Sequence, residues 1–215
     1  MTSQGSQRRG TRSQPTNPVG LVTYAREMAE IRMAVVGAGS WGTTVASLAA
    51  ANTPTVLWAR REAVVESINT NHVNPDYIGG VALSPQLRAT SSLSDAVSTA
   101  DVVVMAVPSQ GFRQVLDDAK SHIRPWVPIV SLSKGLEAGS MLRMSQVANE
   151  VMPGHPVAVL TGPNLASEIS VGQPAASVVA IDDAVIATAL QELWRNGPTR
   201  QFFRPLWPII FSLLA

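Results

Sequence analysis

Three glycines, Gly37, Gly39 and Gly42, stand in the spacing G-x-G-x-x-G. In such a motif the first glycine permits a tight turn, the second lets the backbone approach a pyrophosphate, and the third lets a helix pack on a strand. A helix that begins there directs free N–H groups and the positive end of its dipole at the phosphates. The chemistry that this spacing offers is the binding of a dinucleotide.

The residues on either side of the glycines decide whether the motif indicates dinucleotide binding, because the spacing alone is a weak signal. Ahead of it, "IRMAVVG" predicts a strand, and behind it the apolar spacing predicts a helix from Trp41 to Ala51. A strand before and a helix after are what a dinucleotide cradle requires. We therefore predict a cradle here, and not merely a tight turn.

Two arginines stand at the end of the second predicted strand, "TVLWAR". Dinucleotide sites that take NAD place an acidic residue near this point, where it bonds the ribose 2′-hydroxyl. Arg60 and Arg61 stand here instead, and a guanidinium can pair with a 2′-phosphate or stack on adenine. The pattern allows NADP; the alternative is a pair of solvated arginines with no ligand.

Three further loops follow predicted strands, and ligands bind at the carboxyl ends of parallel strands. These loops are Pro108-Ser109-Gln110, Ser133-Lys134-Gly135 and Thr161-Gly162-Pro163-Asn164, the last with Glu168 beyond it. Lys134 is one of two lysines in the chain, and a cation there could hold a phosphate or a carbonyl oxygen. Each loop also has a plainer interpretation: a helix N-cap at Ser109, a surface lysine at Lys134, and a turn at Gly162-Pro163.

Short apolar runs rich in β-branched residues alternate with amphipathic stretches from Ile31 onward. Beyond the first two strands, the runs predict strands at "DVVVMAVP", "VPIVSLS", "PVAVLTG", "AASVVAI" and "TRQFFR". Helices are predicted between them, among them one over "GSMLRMSQVANEVM". The alternation indicates an α/β fold, with a doubly wound, mostly parallel sheet.

Composition excludes several classes of function. The net charge of +1 gives no reason to expect nucleic acid or an anionic membrane as a partner. Cysteine is absent, which rules out disulfides and thiolate zinc sites and makes a reducing compartment the default. The three histidines share no spacing with one another or with acids, so we expect no metal site.

The two ends of the chain differ from the middle. Residues 1–30 are polar and basic, and we expect a disordered tail or a start assigned too early, with Met28 or Met33 as the beginning. Residues 205–215 carry no charge yet are too short to span a bilayer, so we expect an aberrant apolar end. The cofactor-binding domain is expected over residues 31–204.

Several segments occur together and in a familiar order: "GAGSWGTTVA", "VLWARR", "INTNHVNPDYIGG", "VPSQ", "SLSKGLE", "LTGPNLASEI" and "QPAASVVA". With these segments the chain resembles the bacterial-type NAD(P)-dependent glycerol-3-phosphate dehydrogenases, over about Ile31 to Trp194. The resemblance implies a Rossmann-type domain and reversible hydride transfer between NAD(P)H and dihydroxyacetone phosphate. It also implies a cytoplasmic protein that forms a homodimer.

The resemblance assigns roles to matching positions. Besides the motif glycines, it places six residues at NADP or NAD: Ser40, Trp41, Arg60, Arg61, Lys134 and Ala166. Lys134, Gly162 and Asn164 would border the phosphorylated substrate, sn-glycerol 3-phosphate.

The resemblance ends near Phe203-Arg204, after which the family continues to a proton-acceptor lysine and a C-terminal helical domain. Here the chain reads "PLWPIIFSLLA", and by family spacing the lysine falls beyond Ala215. We therefore expect no catalytic residue in this chain and poor turnover. The alternatives are a non-catalytic nucleotide-binding remnant and a related dehydrogenase that acts on another small substrate.

Overall fold

The computed structural model describes residues 31–162, 164–173, 175–194 and 202–205. Strands β1 to β8 are Met33–Val36, Thr55–Trp58, Arg88–Thr90, Val102–Met105, Ile129–Ser131, Val157–Thr161, Ala176–Ala180 and Phe202–Pro205. Helices α1 to α7 are Ser40–Ala50, Glu62–Asn71, Leu93–Val97, Ser109–Ala119, Met144–Val151, Ala166–Ser170 and Ala184–Leu193. A 3₁₀ turn over Lys120–His122 follows α4.

The strands form one sheet in the order β3-β2-β1-β4-β5-β6-β7-β8. Neighbours are parallel except β6 and β7, which are antiparallel. Every residue of β1 and β4 is buried, as expected of strands covered by helices on both faces. The predicted α/β fold with a doubly wound, mostly parallel sheet is confirmed.

Alternate residues of the central strands face two separate cores, because successive side chains of a strand point to opposite faces. Val35 and Val104 pack with α1, α2 and α7 on one face of the sheet. Val36 and Val103 pack with α3, α4 and α5 on the other face. The two cores thereby fix the carboxyl edge of the sheet from both sides.

Three elements differ from the sequence-based expectation. Strand β3 and helix α3 were not predicted; they have three and five residues, too few to show a hydrophobic period. The helix predicted over 139–152 begins only at Met144, and this prediction of its start is wrong. Residues 136–143 instead form a loop in which Gly139 and Met141 have positive φ and Leu136 pairs with Arg143.

The expected tail at 1–30 and most of the expected end at 205–215 lie outside the described residues. In the ranges described, no helix has both the length and the apolar character to cross a bilayer.

Candidate functional site

The glycine motif lies at the centre of the carboxyl edge of the sheet, between β1 and α1. From β1 the chain order runs outward in both directions, to β2 and β3 on one side and to β4 and β5 on the other. Open α/β sheets bind ligands in the crevice at such a switch point. The structure therefore places Gly37, Gly39 and Gly42 where a ligand crevice is expected.

The three glycines have different surroundings. Gly37 has φ +120°, and a Cβ there would lie 2.6 Å from the carbonyl oxygen of Ala106. A Cβ on Gly42 would lie only 2.0 Å from the carbonyl oxygen of Gly37. A Cβ on Gly39 would meet no atom within 4 Å. Gly37 and Gly42 thus allow the turn to pack, while Gly39 leaves a face of the backbone open to a ligand.

Among the described residues, the N-terminus of α1 has backbone donors without a backbone partner. Gly39 is the N-cap and supplies no side-chain hydrogen bond. The first backbone hydrogen bond of the helix runs from the Thr43 N–H to the Gly39 carbonyl, at 2.9 Å. The amides before Thr43 are the ones that a helix leaves unpaired, and they lie in the glycine turn. Together with the helix dipole they favour a phosphate group here.

A cleft of about 610 Å³ opens over the glycine turn. Tyr77, Val107 and Pro108 form part of its wall. Seven residues predicted to contact a cofactor line this cleft: Gly37, Gly39, Ser40, Trp41, Gly42, Arg60 and Arg61.

A smaller pocket of about 280 Å³ adjoins the cleft, and the two share Trp41 and Leu132 as lining residues. The other four predicted site residues line this pocket: Lys134, Gly162, Asn164 and Ala166. The structure thus brings the eleven residues to which the resemblance assigns roles to two cavities that share Trp41 and Leu132, whereas Ser109, Gln110 and Glu168 line neither.

Contacts with α4 and with the loop before it hold the loop that carries Lys134. The Ser133 hydroxyl donates to the Val107 carbonyl at 2.5 Å. The Gln110 amide donates to the Leu136 carbonyl and accepts from the Ala138 N–H, each at 3.4 Å. These contacts connect the loop after β5 to the loop after β4. Gln110 therefore acts on the neighbouring loop, while it does not line either cavity.

A carboxylate in the same loop forms a close ion pair with α4. Arg113 donates to both oxygens of Glu137, at 2.7 and 2.9 Å, and to Glu150 at 2.7 Å. The hydrogen bonds from Arg113, and then that from Ser140, lower the pKa of Glu137 from 4.5 to about 2. Glu137 was predicted only as part of the segment "SLSKGLE", with no role. Its partner lies 24 positions away along the chain, so no local pattern reveals the pair.

A third loop, residues 74–80, packs on the glycine turn. The fully buried Asn74 donates to the Ala38 carbonyl at 3.0 Å and to the Thr43 hydroxyl at 2.8 Å. The Ser40 hydroxyl donates to the Tyr77 carbonyl at 3.0 Å. The segment "NPDY" contributes to the family resemblance, but no place at the cofactor was predicted for its residues. The structure places Tyr77 in the wall of the cleft.

The amide of Asn164 is held at the small pocket by β7. Its nitrogen donates to the buried Ser177 hydroxyl at 2.6 Å. Its oxygen is buried and, within the described part of the chain, has no hydrogen-bond partner. Buried polar atoms are normally paired, so this oxygen is an acceptor whose hydrogen-bonding capacity is unused among the described residues.

The described residues contain no group of three or more His, Asp or Glu side chains that could hold a metal ion. The donors at the two cavities are backbone amides, cationic side chains and a side-chain amide, which suit phosphate and hydroxyl groups.

The doubly wound sheet and the glycine turn at its switch point place this chain in the dinucleotide-binding, Rossmann-type class of α/β folds. Residues 32–187 match the family model described as the N-terminus of NAD-dependent glycerol-3-phosphate dehydrogenase. The chain belongs to this family.

Curated relatives agree with this assignment. The chain is 52% identical over 172 residues to a glycerol-3-phosphate dehydrogenase NAD(P)+ of Sphingopyxis alaskensis, covering 80% of this chain and 52% of the relative. A relative from Mycobacterium avium is 51% identical over 179 residues, with 83% and 52% covered. The chain spans about half the length of the curated relatives it matches.

Among solved structures, the glycerol-3-phosphate dehydrogenase of Coxiella burnetii superimposes with a TM-score of 0.74 at 27% identity. The match covers 81% of this chain and 54% of that one. The similarity therefore extends from sequence to the arrangement of the sheet.

Proposed function

We propose that this chain binds NADP(H) or NAD(H) in the larger cleft, as the cofactor-binding part of a glycerol-3-phosphate dehydrogenase. The reaction is hydride transfer between NAD(P)H and dihydroxyacetone phosphate, which gives sn-glycerol 3-phosphate. The observation that carries the proposal is that the two cavities share lining residues, because a hydride donor and its acceptor must lie next to each other. Trp41 and Leu132 are the residues that the cavities share.

The chemical character of each cavity supports its assignment. The larger cleft has the open backbone face at Gly39 and the N-terminus of α1 for a pyrophosphate, with Arg60 and Arg61 at the adenosine end. The nicotinamide of the bound cofactor supplies the hydride. Ala166 lines the small pocket, on the side where we place the nicotinamide.

The smaller pocket suits a short phosphorylated substrate. The Lys134 ammonium provides a positive charge for a phosphate or a carbonyl oxygen. The buried Asn164 oxygen provides an acceptor for a hydroxyl. Gly162 lines the same pocket, and in this proposal the three residues together hold and orient the substrate. Such orientation is a large part of the rate that an enzyme achieves.

A second candidate function is nucleotide binding without turnover. Lys134 is the one ionisable side chain among the described residues that line the small pocket, and we assign it to binding. Carbonyl reduction also needs a proton donor placed at the oxygen, and we assign that role to no described residue.

Calorimetry with NADPH and NADH, combined with reduction of dihydroxyacetone phosphate by the full chain, separates the two candidates. Nucleotide binding with turnover supports the dehydrogenase; binding without turnover supports the second candidate. Absence of binding to either nucleotide contradicts both.

Lys134→Met tests the division between the cavities. Because Lys134 lines the small pocket, we expect a loss of turnover of about 100-fold or more, or of substrate binding if there is no turnover. The resemblance also places Lys134 at the cofactor, but Lys134 does not line the larger cleft, so nucleotide affinity is expected to stay within about threefold. Lys120→Met is the matched control, since Lys120 lies in the turn after α4 and pairs with the half-exposed Asp117. Equal effects of both variants would contradict the assignment of Lys134.

The remaining expectations about partners belong to the same proposal. We propose a small phosphorylated molecule as substrate, a homodimer as the assembled state and the cytoplasm as the location. The net charge of +1 supports no role in nucleic-acid binding.

A further inference from the structure

Arg61 forms an ion pair at the mouth of the larger cleft. Its Nη2 lies 2.6 Å from Oδ2 of Asp76, which belongs to the loop over residues 74–80. Its guanidinium carbon lies 5.8 Å from the centre of the Tyr77 ring. Arg61 and Tyr77 both line the cleft, so the ion pair lies beside the proposed cofactor site. Each charged side chain is about half exposed.

The loop that carries Asp76 is anchored on both sides of that residue. Before it, the fully buried Asn74 donates to the Ala38 carbonyl and the Thr43 hydroxyl. After it, the Tyr77 carbonyl accepts from the Ser40 hydroxyl. The glycine turn itself therefore fixes the position of Asp76. These anchors place the Asp76 carboxylate beside Arg61.

This arrangement makes the two arginines after β2 unequal. Arg61 is paired, while Arg60 forms no ion pair with any residue that the structure describes. A 2′-phosphate that approaches Arg61 must compete with Asp76 and must come close to a second negative charge. The 2′-hydroxyl of NAD is neutral, so it neither competes with Asp76 for Arg61 nor is repelled by the Asp76 charge.

We propose that Asp76 is a specificity-determining residue that weakens recognition of the adenosine 2′-phosphate by pairing with Arg61. The inference rests on the proposed binding of NAD(P) in the larger cleft. It implies that the chain favours NADP(H) over NAD(H) far less than it would if both arginines were unpaired.

Asp76→Asn removes the charge and keeps the size of the side chain. We expect the affinity of the full chain for NADPH to rise about threefold to tenfold, since exposed charge pairs contribute modestly. Affinity for NADH should stay within about twofold. The probes 2′,5′-ADP and 5′-AMP, measured by calorimetry, should show the same contrast because they differ only in the 2′-phosphate. The gain should shrink as ionic strength rises.

Two further variants serve as controls for the loss of a surface charge and for a change at position 76 itself. Asp117→Asn removes an equally short exposed pair, with Lys120 at 2.6 Å, and should leave the NADPH to NADH ratio unchanged. Asp76→Glu keeps the charge and should retain the original ratio. An Asp76→Asn variant that changes both nucleotides equally overturns the inference and leaves nucleotide binding intact. If 5′-AMP and NADH bind to none of the proteins, the proposed function itself fails.

Discussion

At the scale of single residues, the glycines of the turn meet two different requirements, which are packing of the turn and access of a ligand to the backbone. A Cβ on Gly42 would lie 2.0 Å from the carbonyl oxygen of Gly37, whereas a Cβ on Gly39 would meet no atom within 4 Å. Packing of the turn therefore depends on Gly42. Access of a ligand to the backbone depends on Gly39, and the two effects can be measured separately.

Alanine at each position tests this separation. Gly42→Ala should destabilise the protein by about 1–3 kcal/mol, because backbone atoms must shift to admit the methyl group. Gly39→Ala should leave stability nearly unchanged, since its φ of −70° suits alanine and nothing opposes the methyl group. It should weaken NADPH binding about tenfold or more, because the methyl group would lie where the pyrophosphate approaches. Urea denaturation and calorimetry give the two readouts; wild-type affinity in Gly39→Ala would rule out the close approach.

At the scale of elements, the loop after β5 depends on α4. Gln110, Ser133 and the Arg113–Glu137 pair hold the segment that presents Lys134 to the small pocket. The hydrogen bonds to Glu137 favour its charged form, so its pKa in the folded chain is about 2 against an ordinary 4.5. A lowered carboxyl pKa contributes stability above the unfolded value, and that stability is lost as pH falls toward the folded value.

Wild type should lose thermal stability as the pH falls from 5 to 2, and Glu137→Gln should therefore lose less over the same range. The same variant should weaken turnover or substrate binding at pH 7 and spare nucleotide affinity, because the loop carries Lys134. Melting temperatures across this pH range, with calorimetry at pH 7, provide the measurement. Glu150→Gln is the matched control: it removes one contact to Arg113 and leaves the two contacts to Glu137. A profile for Glu137→Gln that parallels wild type would contradict the assignment.

Local patterns explain which elements the sequence could predict. The glycine spacing, the apolar strands and the loops after them each depend on neighbouring residues, and general rules for parallel sheets place them at one edge. Asn74, Asp76 and Glu137 escaped prediction because their partners are distant in sequence. The start of α5 was misplaced because residues 136–143 close a loop beside Lys134, although their composition also suits a helix. The binding roles of the residues in the two cavities stay predictions.

At the scale of the whole molecule, the cores on the two faces share the central strands. Phe112 of α4 belongs to one core and Ile68 of α2 to the other, and both are fully buried. Adjacent residues of β1 enter both cores, so loss of packing on one face should weaken the other. The cofactor cleft spans the edge where the faces meet, with lining residues from α1, α2 and α4.

Truncation of one large side chain in each core tests whether the faces unfold together. Phe112→Ala should cost about 3–5 kcal/mol and Ile68→Ala about 2–5 kcal/mol, through lost burial and the cavity left behind. Because both faces share β1 and β4, each variant should still unfold in a single urea transition with an unchanged slope. NADPH at 100 times its dissociation constant should add about 2.7 kcal/mol to either variant, since the proposed cleft is lined by elements from both faces. Two separate transitions in Phe112→Ala, or ligand stabilisation of only one of them, would show that the cores fold independently.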